Sequence, residues 1–263
     1  MLTRLVNWYY RFVLSTQMIG FSNSFKILVL FHFSRQIRSI NFKGKYFYFR
    51  GKTDGVVSHF YNIGYYIKEN GRSIRTIIDA GANIGSETFR FRIHYPNAKI
   101  LAIEASSENF KILKKNFSDD PNTKLINKAV WKSSGELYLY DGGGSQSFYV
   151  NDADNKGVIV GKIEAISLNE ILQSQEIDEI DILKLDVEGA EKEIFSENLE
   201  WLQLVNCLVF EVPDSDVPFT TQQIYNQITR NGFKYRSYVC SECLVLIKEG
   251  LPWELKKVNG FYL

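Results

Sequence analysis

Four residues that could hold a ligand fall within seven positions: Asp79, Gly81, Asn83 and Gly85, in the run Thr76-Ile-Ile-Asp79-Ala-Gly81-Ala82-Asn83-Ile-Gly85. A β-branched run ending in an acid and then a glycine-punctuated turn reads as a buried strand feeding a helix, here 86–94. The backbone N–H groups of the turn and helix start are expected to point outward. The spacing is not the dinucleotide pattern GxGxxG, because an acid sits two residues before the first glycine and Asn83 takes the middle place. A carboxylate at the strand end repels a pyrophosphate and suits an amine or a hydroxyl. A second acid, Glu104, ends the next strand 25 residues on, where folds of this kind hold ribose hydroxyls. The two acids together suggest an adenosine-containing ligand without phosphates, S-adenosylmethionine.

A second cluster is Leu183-Lys184-Leu185-Asp186-Val187-Glu188-Gly189-Ala190-Glu191. Strand periodicity puts Ile182, Lys184 and Asp186 on one face, so a lysine and an acid meet at the C-terminal sheet edge where open α/β sheets bind ligands. Glu188 and Glu191, three apart, are expected on one face of the first turn of the next helix, where its dipole favours carboxylates. Methyl transfer from a sulfonium needs a hydroxyl aligned with the methyl and a group to take its proton. Asp186 is the first choice as that base, with Glu188 and Glu191 binding substrate or serving as alternate bases and Lys184 beside them. On the plainer reading these acids cap a helix and Lys184 pairs with one of them. No metal site is assigned; an alternative has Asp186 and Glu211, at neighbouring strand ends, holding a divalent ion.

These residues need a sheet to position them. Short β-branched runs at 76–79, 99–104, 124–130, 181–187, 207–212, 233–240 and 242–248 alternate with helical segments, which predicts a wound α/β sheet. The last two runs are too close for a parallel crossover and must form an antiparallel hairpin. Upstream, Leu2, Leu5, Val6, Tyr9, Phe12 and Val13 recur at helical spacing, and a second aromatic-rich helix is expected over 25–37. Residues 41–51 alternate about Gly44 as a small hairpin, and Thr53-Asp54-Gly55 caps an expected helix over 56–69, closed by Gly71. The chain therefore divides into a basic helical extension (1–40), a hairpin and helix covering the cofactor site (41–73), and the cofactor-binding domain (74–263). Within the middle unit, Thr53, Asp54 and His59 sit on elements that precede the sheet, where the family resemblance described below implies a cover over the cofactor.

With 263 residues, 45% of them apolar and 23% charged, the chain can bury a large core. A net charge of +1 gives no global field for nucleic acid, and no nucleic-acid partner is expected. The charge is unevenly spread, however. Residues 1–53 hold nine basic residues and no acid, leaving 22 basic against 30 acidic residues in the remainder. The extension, with Trp8, Tyr9, Tyr10 and Phe12, suits peripheral contact with the inner face of a membrane, or packing on the domain or on a second subunit of a homo-oligomer. Three cysteines, Cys207, Cys240 and Cys243, cannot form a disulfide framework and suit a reducing, cytoplasmic setting. Cys240 and Cys243 have zinc-ligand spacing, but His32, His59 and His94 lie far off in sequence, so the pair is read as incidental to the hairpin. No apolar run reaches spanning length, and no signal-peptide cleavage site is evident.

At the residues quoted above the chain resembles the FkbM family of S-adenosylmethionine-dependent methyltransferases. Asp79-Ala-Gly81-Ala82-Asn83-Ile-Gly85 is similar to the family's D-x-GAN-x-G loop. Ile103-Glu104-Ala105, with Asn109-Phe110 and Leu113 to Asn116, is similar to the next motif, although Ala105-Ser106 replaces a usual proline. Lys128-Ala129-Val130-Trp131 with Gly135 looks like the region where such enzymes contact adenine, and 183–191 is nearly the family's LKiDvEGaE signature. Phe210-Glu211-Val212 resembles its lEv strand, whereas the loop from Gly142 to Ser147 only approximates its Ser-rich stretch. The resemblance implies a Rossmann-like class I methyltransferase sheet, mostly parallel with an antiparallel C-terminal hairpin and an N-terminal helical extension. It also implies a cofactor set of Asp79, Gly81, Ala82, Asn83, Gly85, Glu104, Ala105, Ala129, Val130 and Asp186. The implied reaction is O-methylation of a carbohydrate hydroxyl in polysaccharide or glycolipid synthesis, with a small natural-product alcohol as the alternative acceptor. A nicotinamide dehydrogenase would need GxGxxG, and a base methyltransferase typically an Asn/Asp-Pro-Pro-Tyr/Trp stretch; the chain has no Pro-Pro. A non-catalytic scaffold on the same fold would predict broken motifs, and the acids and glycines are intact.

Overall fold

The run at Thr76–Ala80 (β4) is buried on both faces, with Ile77 and Ile78 wholly inaccessible, as a central parallel strand must be. The computed structural model describes residues 16, 20–26, 36–42, 44–51, 54, 65–141, 148–151, 158–211, 220–240 and 243–257. Around β4 run Lys99–Ile103 (β5), Thr123–Ile126 (β6), Ile180–Leu185 (β11) and Val205–Glu211 (β12), all parallel. Tyr235–Cys240 (β13) and Cys243–Lys248 (β14) add the expected antiparallel hairpin. The sheet order is β13-β14-β12-β11-β4-β5-β6. The chain winds one way from β4 to β6 and the other from β11 outward, so β4 and β11 flank the crevice where the order reverses. The helix after β4 covers Ser86–His94 (α1), as the sequence predicts, and Ser107–Phe117 (α2) follows β5, capped by the Ser106 hydroxyl.

The expected strand over 124–130 proves to be two. Thr123–Ile126 stays in the main sheet, whereas Ala129–Trp131 (β7) leaves it to pair in parallel with Val158–Ser167 (β10). The break is at Asn127, whose side-chain amide donates to the carbonyls of Glu104 (2.7 Å) and Ala105 (3.1 Å), turning the chain. Strand β10 also pairs with Gly135–Asp141 (β8), which pairs with Phe148–Asn151 (β9), giving a second sheet ordered β7-β10-β8-β9 that the sequence reading missed.

The hairpin expected at 41–51 is longer: Ile37–Phe42 (β1) pairs with Lys45–Arg50 (β2) about Gly44 at φ 87°. Ile37 therefore opens a strand rather than closing a helix, and the helical residues described nearby are 21–26. The inner face of the hairpin, Ile40, Phe47 and Phe49, packs with Ala82, Ile84, Phe89, Leu113 and Phe117, so it buttresses the glycine turn directly. The helix expected over 56–69 does not reach its end: Tyr65–Lys68 (β3), aromatic and β-branched, is a strand antiparallel to Glu254–Lys257 (β15). Beside that pair Trp253 is fully buried, its indole N–H donating to the Arg72 carbonyl at 2.7 Å. The first expected helix, Thr53, Gly55 and His59 lie outside the described residues. No described helix is long and apolar enough to cross a membrane.

Candidate functional site

The turn after β4 uses its N–H groups internally. Gly81 and Ala82 both donate to the Ile103 carbonyl at 2.9 Å, Asn83 donates to Glu104 Oε2 at 2.8 Å, and Gly85 donates to the Ala82 carbonyl at 2.8 Å. For these four residues the expectation of outward-pointing donors is therefore corrected: their N–H groups tie the turn down, and only the helix start, Ser86 to Thr88, is left to that expectation. Its glycines are forced. Gly81 sits at φ 79°, and a Cβ there would lie 1.7 Å from the Asp186 carbonyl oxygen; at Gly85, φ 94°, a Cβ would lie 2.3 Å from the Phe117 ring. The Asp186 N–H in turn donates to the Ala80 carbonyl at 3.0 Å, locking the two candidate loops edge to edge.

Glu104 is buried and accepts from three donors: the Asn83 N–H, the Ser106 N–H at 2.8 Å and the Asn109 side-chain amide at 3.5 Å. Burial pushes its carboxyl up to about 7, against the pull of those hydrogen bonds. Asn109 is itself held by the Arg50 guanidinium at 2.5 Å, and Arg50 pairs at 2.8 Å with the inaccessible Asp54. Asp54 thus reaches the cofactor side only through this relay, a role with no local sequence signal because Arg50 and Asn109 are 59 residues apart. Asp79 is wholly inaccessible; Thr88 donates to one oxygen at 2.6 Å and the Lys184 ammonium lies 3.8 Å from the other. Burial raises its carboxyl in spite of both.

At the end of β11 the plainer reading of Lys184 is what the structure shows. It is buried, 2.7 Å from Asp186 Oδ2, and bridges Asp186 to Asp79. Burial alone would pull its pKa down, but the two carboxylates outweigh that and hold it charged and raised. Asp186 keeps part of its side chain exposed and lies near enough to Glu211 for the two carboxyls to repel. Burial, then Asp186, Glu188 and Glu191, push the Glu211 carboxyl upward, so Glu211 takes a proton more readily than an ordinary glutamate. Glu188 and Glu191 do not share a helical face. Glu188 lies in the preceding turn at φ 51°, exposed, and the helix (Glu191–Ile194) has only four residues. Glu191 is buried, accepts from the Val187 N–H at 3.1 Å, and is raised by that burial rather than favoured by a dipole. Among the described residues no group of three or more His, Cys, Asp or Glu is placed to hold a metal ion. Cys240 and Cys243 are register partners across the hairpin and are not joined by a disulfide.

Ala129 and Val130 are buried in β7, in the apolar cluster against which Ala105 packs, so their side chains belong to the floor behind the Glu104 turn. Around the turn and the β11 edge, Asp79 Oδ1, Asn83 Oδ1, Ser86 Oγ and Glu191 Oε2 are buried without a hydrogen-bond partner. Three of the four can only accept hydrogen bonds when the acids are ionised, which suits ammonium and ribose hydroxyl donors, while the negative charge of the acids suits a sulfonium. The residues present therefore fit S-adenosylmethionine: Glu104 would hold the ribose and the Asp79–Asn83 turn the cationic end.

Comparison with known proteins agrees. Residues 79–235, more than half of the chain, match the family model described as the methyltransferase FkbM domain. The chain is 28% identical over 169 residues to methyltransferase sdnD of Sordaria araneosa, covering 51% of this chain and 65% of that one. It is 27% identical over 135 residues to hexuronic acid methyltransferase AglP of Haloferax volcanii, covering 51% and 54%. It thus spans between half and two thirds of the length of these relatives. Among solved structures, a Methanococcus jannaschii fibrillarin pre-rRNA processing protein aligns with a TM-score of 0.44 at 14% identity, over 82% of this chain and 84% of that one, a likeness too slight to argue from. With the motif order, the switch-point site and the matched span in agreement, the chain belongs to the FkbM methyltransferase family, whose cofactor is S-adenosylmethionine.

Proposed function

We propose that the protein is an O-methyltransferase whose acceptor is a neutral sugar hydroxyl. The observation that carries this reading is the Lys184 ammonium between the two loops, 2.7 Å from Asp186 Oδ2 and 3.8 Å from Asp79 Oδ1, which sets the carboxylate of Asp186 beside the acid that opens the donor turn. When bound, the cofactor supplies a methyl on a positively charged sulfur. The side chains of this protein then have three tasks. Asp186, steadied by Lys184, accepts the hydrogen bond of the acceptor hydroxyl and aims its oxygen at the methyl. In the transfer the hydroxyl proton would pass to the Asp186 carboxylate, with the neighbouring Glu211, whose carboxyl is raised, as an alternative acceptor. Lys184 stays charged and keeps Asp186 in place.

The charge balance supports a neutral acceptor. Asp186, Glu188, Glu191 and Glu211 stand close enough to raise one another's or their neighbours' pKa values, with Lys184 as the cation paired to Asp186. Such a field attracts a sulfonium and repels a carboxylate-bearing acceptor. One relative is named for methylating a hexuronic acid, which supports a sugar as the class of acceptor; that sugar is acidic, so the neutral charge of the acceptor proposed here rests on the charge balance alone.

The test is turnover with S-adenosylmethionine across matched neutral glycosides and glycuronides, following S-adenosylhomocysteine release. Neutral acceptors should dominate, and Asp186→Asn should lower kcat by about a hundredfold or more with cofactor affinity unchanged. Parental turnover by Asp186→Asn would remove Asp186 from the reaction. Failure of the parent to bind S-adenosylmethionine in calorimetry would remove the reaction itself.

A further inference from the structure

Away from the candidate site, the hairpin carries a surface that catalysis does not use. Between the helical residues 21–26, strand β1 and helix α2 lies an open groove of about 540 Å³, walled by Phe25, Ile37 and Tyr48 and by three cations, Lys26, Arg38 and Lys115, with no acid in its lining. The Lys115 ammonium rests 4.3 Å above the Tyr48 ring, leaving its charge at the rim. Phe21 and Phe25, four apart and stacked with centroids 6.3 Å apart, are 64% and 52% exposed, and Ile37 and Tyr46 on the outer face of the hairpin are 47% and 58% exposed. The segment is fixed in this orientation, since the Asn23 side-chain amide donates to the Asn41 carbonyl and Ser24 is fully buried.

Exposed aromatics standing among lysines and arginines, on a stretch of 53 residues without one acid, match one kind of surface: apolar at shallow depth and lined with negative charge. We propose that this face docks on an anionic phospholipid bilayer, with Phe21, Phe25 and Tyr46 in the interfacial zone and Lys26, Arg38 and Lys115 on lipid phosphates. Long basic side chains suit that task because their stems lie on apolar groups while their heads reach the phosphate level.

The experiment is co-sedimentation of the full chain with vesicles of phosphatidylcholine alone or mixed with phosphatidylglycerol. Binding should require phosphatidylglycerol and fall with added salt. Each cation removed should weaken it about fivefold, so Lys26→Gln with Arg38→Gln and Lys115→Gln should partition roughly a hundredfold more weakly than the parent. Phe21→Ser with Phe25→Ser should weaken binding at every salt concentration. All five positions are exposed and outside the cofactor site, so unchanged S-adenosylmethionine affinity verifies that the variants fold. Equal partition of the triple variant and the parent would overturn the proposal, as would equal binding to phosphatidylcholine alone. So would light scattering that shows a dimer split by the phenylalanine changes, since a second copy would then cover the face.

Discussion

The turn between Asp79 and Gly85 and the acids from Asp186 to Glu211 stand at the ends of neighbouring strands, and they are held in different ways. The turn is fixed by backbone: four of its N–H groups are used within it or on β5 and Glu104, and two glycines occupy positions where no other side chain fits. The acids are fixed by charge: one buried lysine and a set of mutual repulsions that raise the Glu211 carboxyl. A backbone-built site has one geometry and fails when volume is added. A charge-built site keeps its shape and responds to protons.

The sharpest way to break the first kind is Gly81→Ala. Its Cβ would overlap the Asp186 carbonyl, and its φ of 79° is strained for any L side chain, so the change should cost about 3 kcal/mol or more and abolish cofactor binding. Thermal melting and calorimetry read both effects. Next in size is Glu104→Gln. Below about 7 the buried Glu104 carboxyl is protonated, and ribose hydroxyls donate best to a carboxylate, so cofactor affinity of the parent should climb as pH rises through 7. The variant should be flat with pH and about tenfold weaker at the alkaline end. Stability follows the opposite sign. The folded pKa lies above the ordinary glutamate value of 4.5, so the folded state holds the extra proton in that window, and the ligand-free parent should lose stability as pH rises from 4.5 to about 7. The glutamine variant should lack that loss. The smallest effect is expected for Glu211→Gln, about threefold to tenfold in kcat. Because Glu211 titrates above the ordinary carboxylate range, the variant should chiefly remove an ionisation from the pH–rate profile. An unaltered profile would remove Glu211 from the proton transfer.

The same contrast explains what could be read from the sequence. The parallel strands, α1 and the C-terminal hairpin are local patterns, and each appears close to where its residues suggest. Lys184 and Asp186 follow from strand periodicity alone. The direction of the turn's N–H groups does not, because their acceptor is Ile103, 22 residues beyond Gly81, and nothing near Gly81 announces it. The second sheet was hidden for a similar reason: β7 is three residues long and is a strand only by virtue of β10, which lies far along the chain. Glu188 misled because the pattern EGAE suits a helix start, while Gly189, at φ 93°, delays the helix until Glu191. Tyr65–Lys68 was read as helical since no local feature shows that its partner is β15.

That last pairing bears on how the protein is made. Strand β3 leaves the ribosome early, yet its partner and the Trp253 side chain that seals its flank emerge nearly two hundred residues later. At a synthesis rate of about 5–20 residues per second this leaves an unpaired edge for roughly ten seconds or more. The nascent chain is therefore most open to chaperones and to aggregation through residues 65–68, and a ribosome stalled before Trp253 would release a protein with its central strands formed and its two ends unstitched.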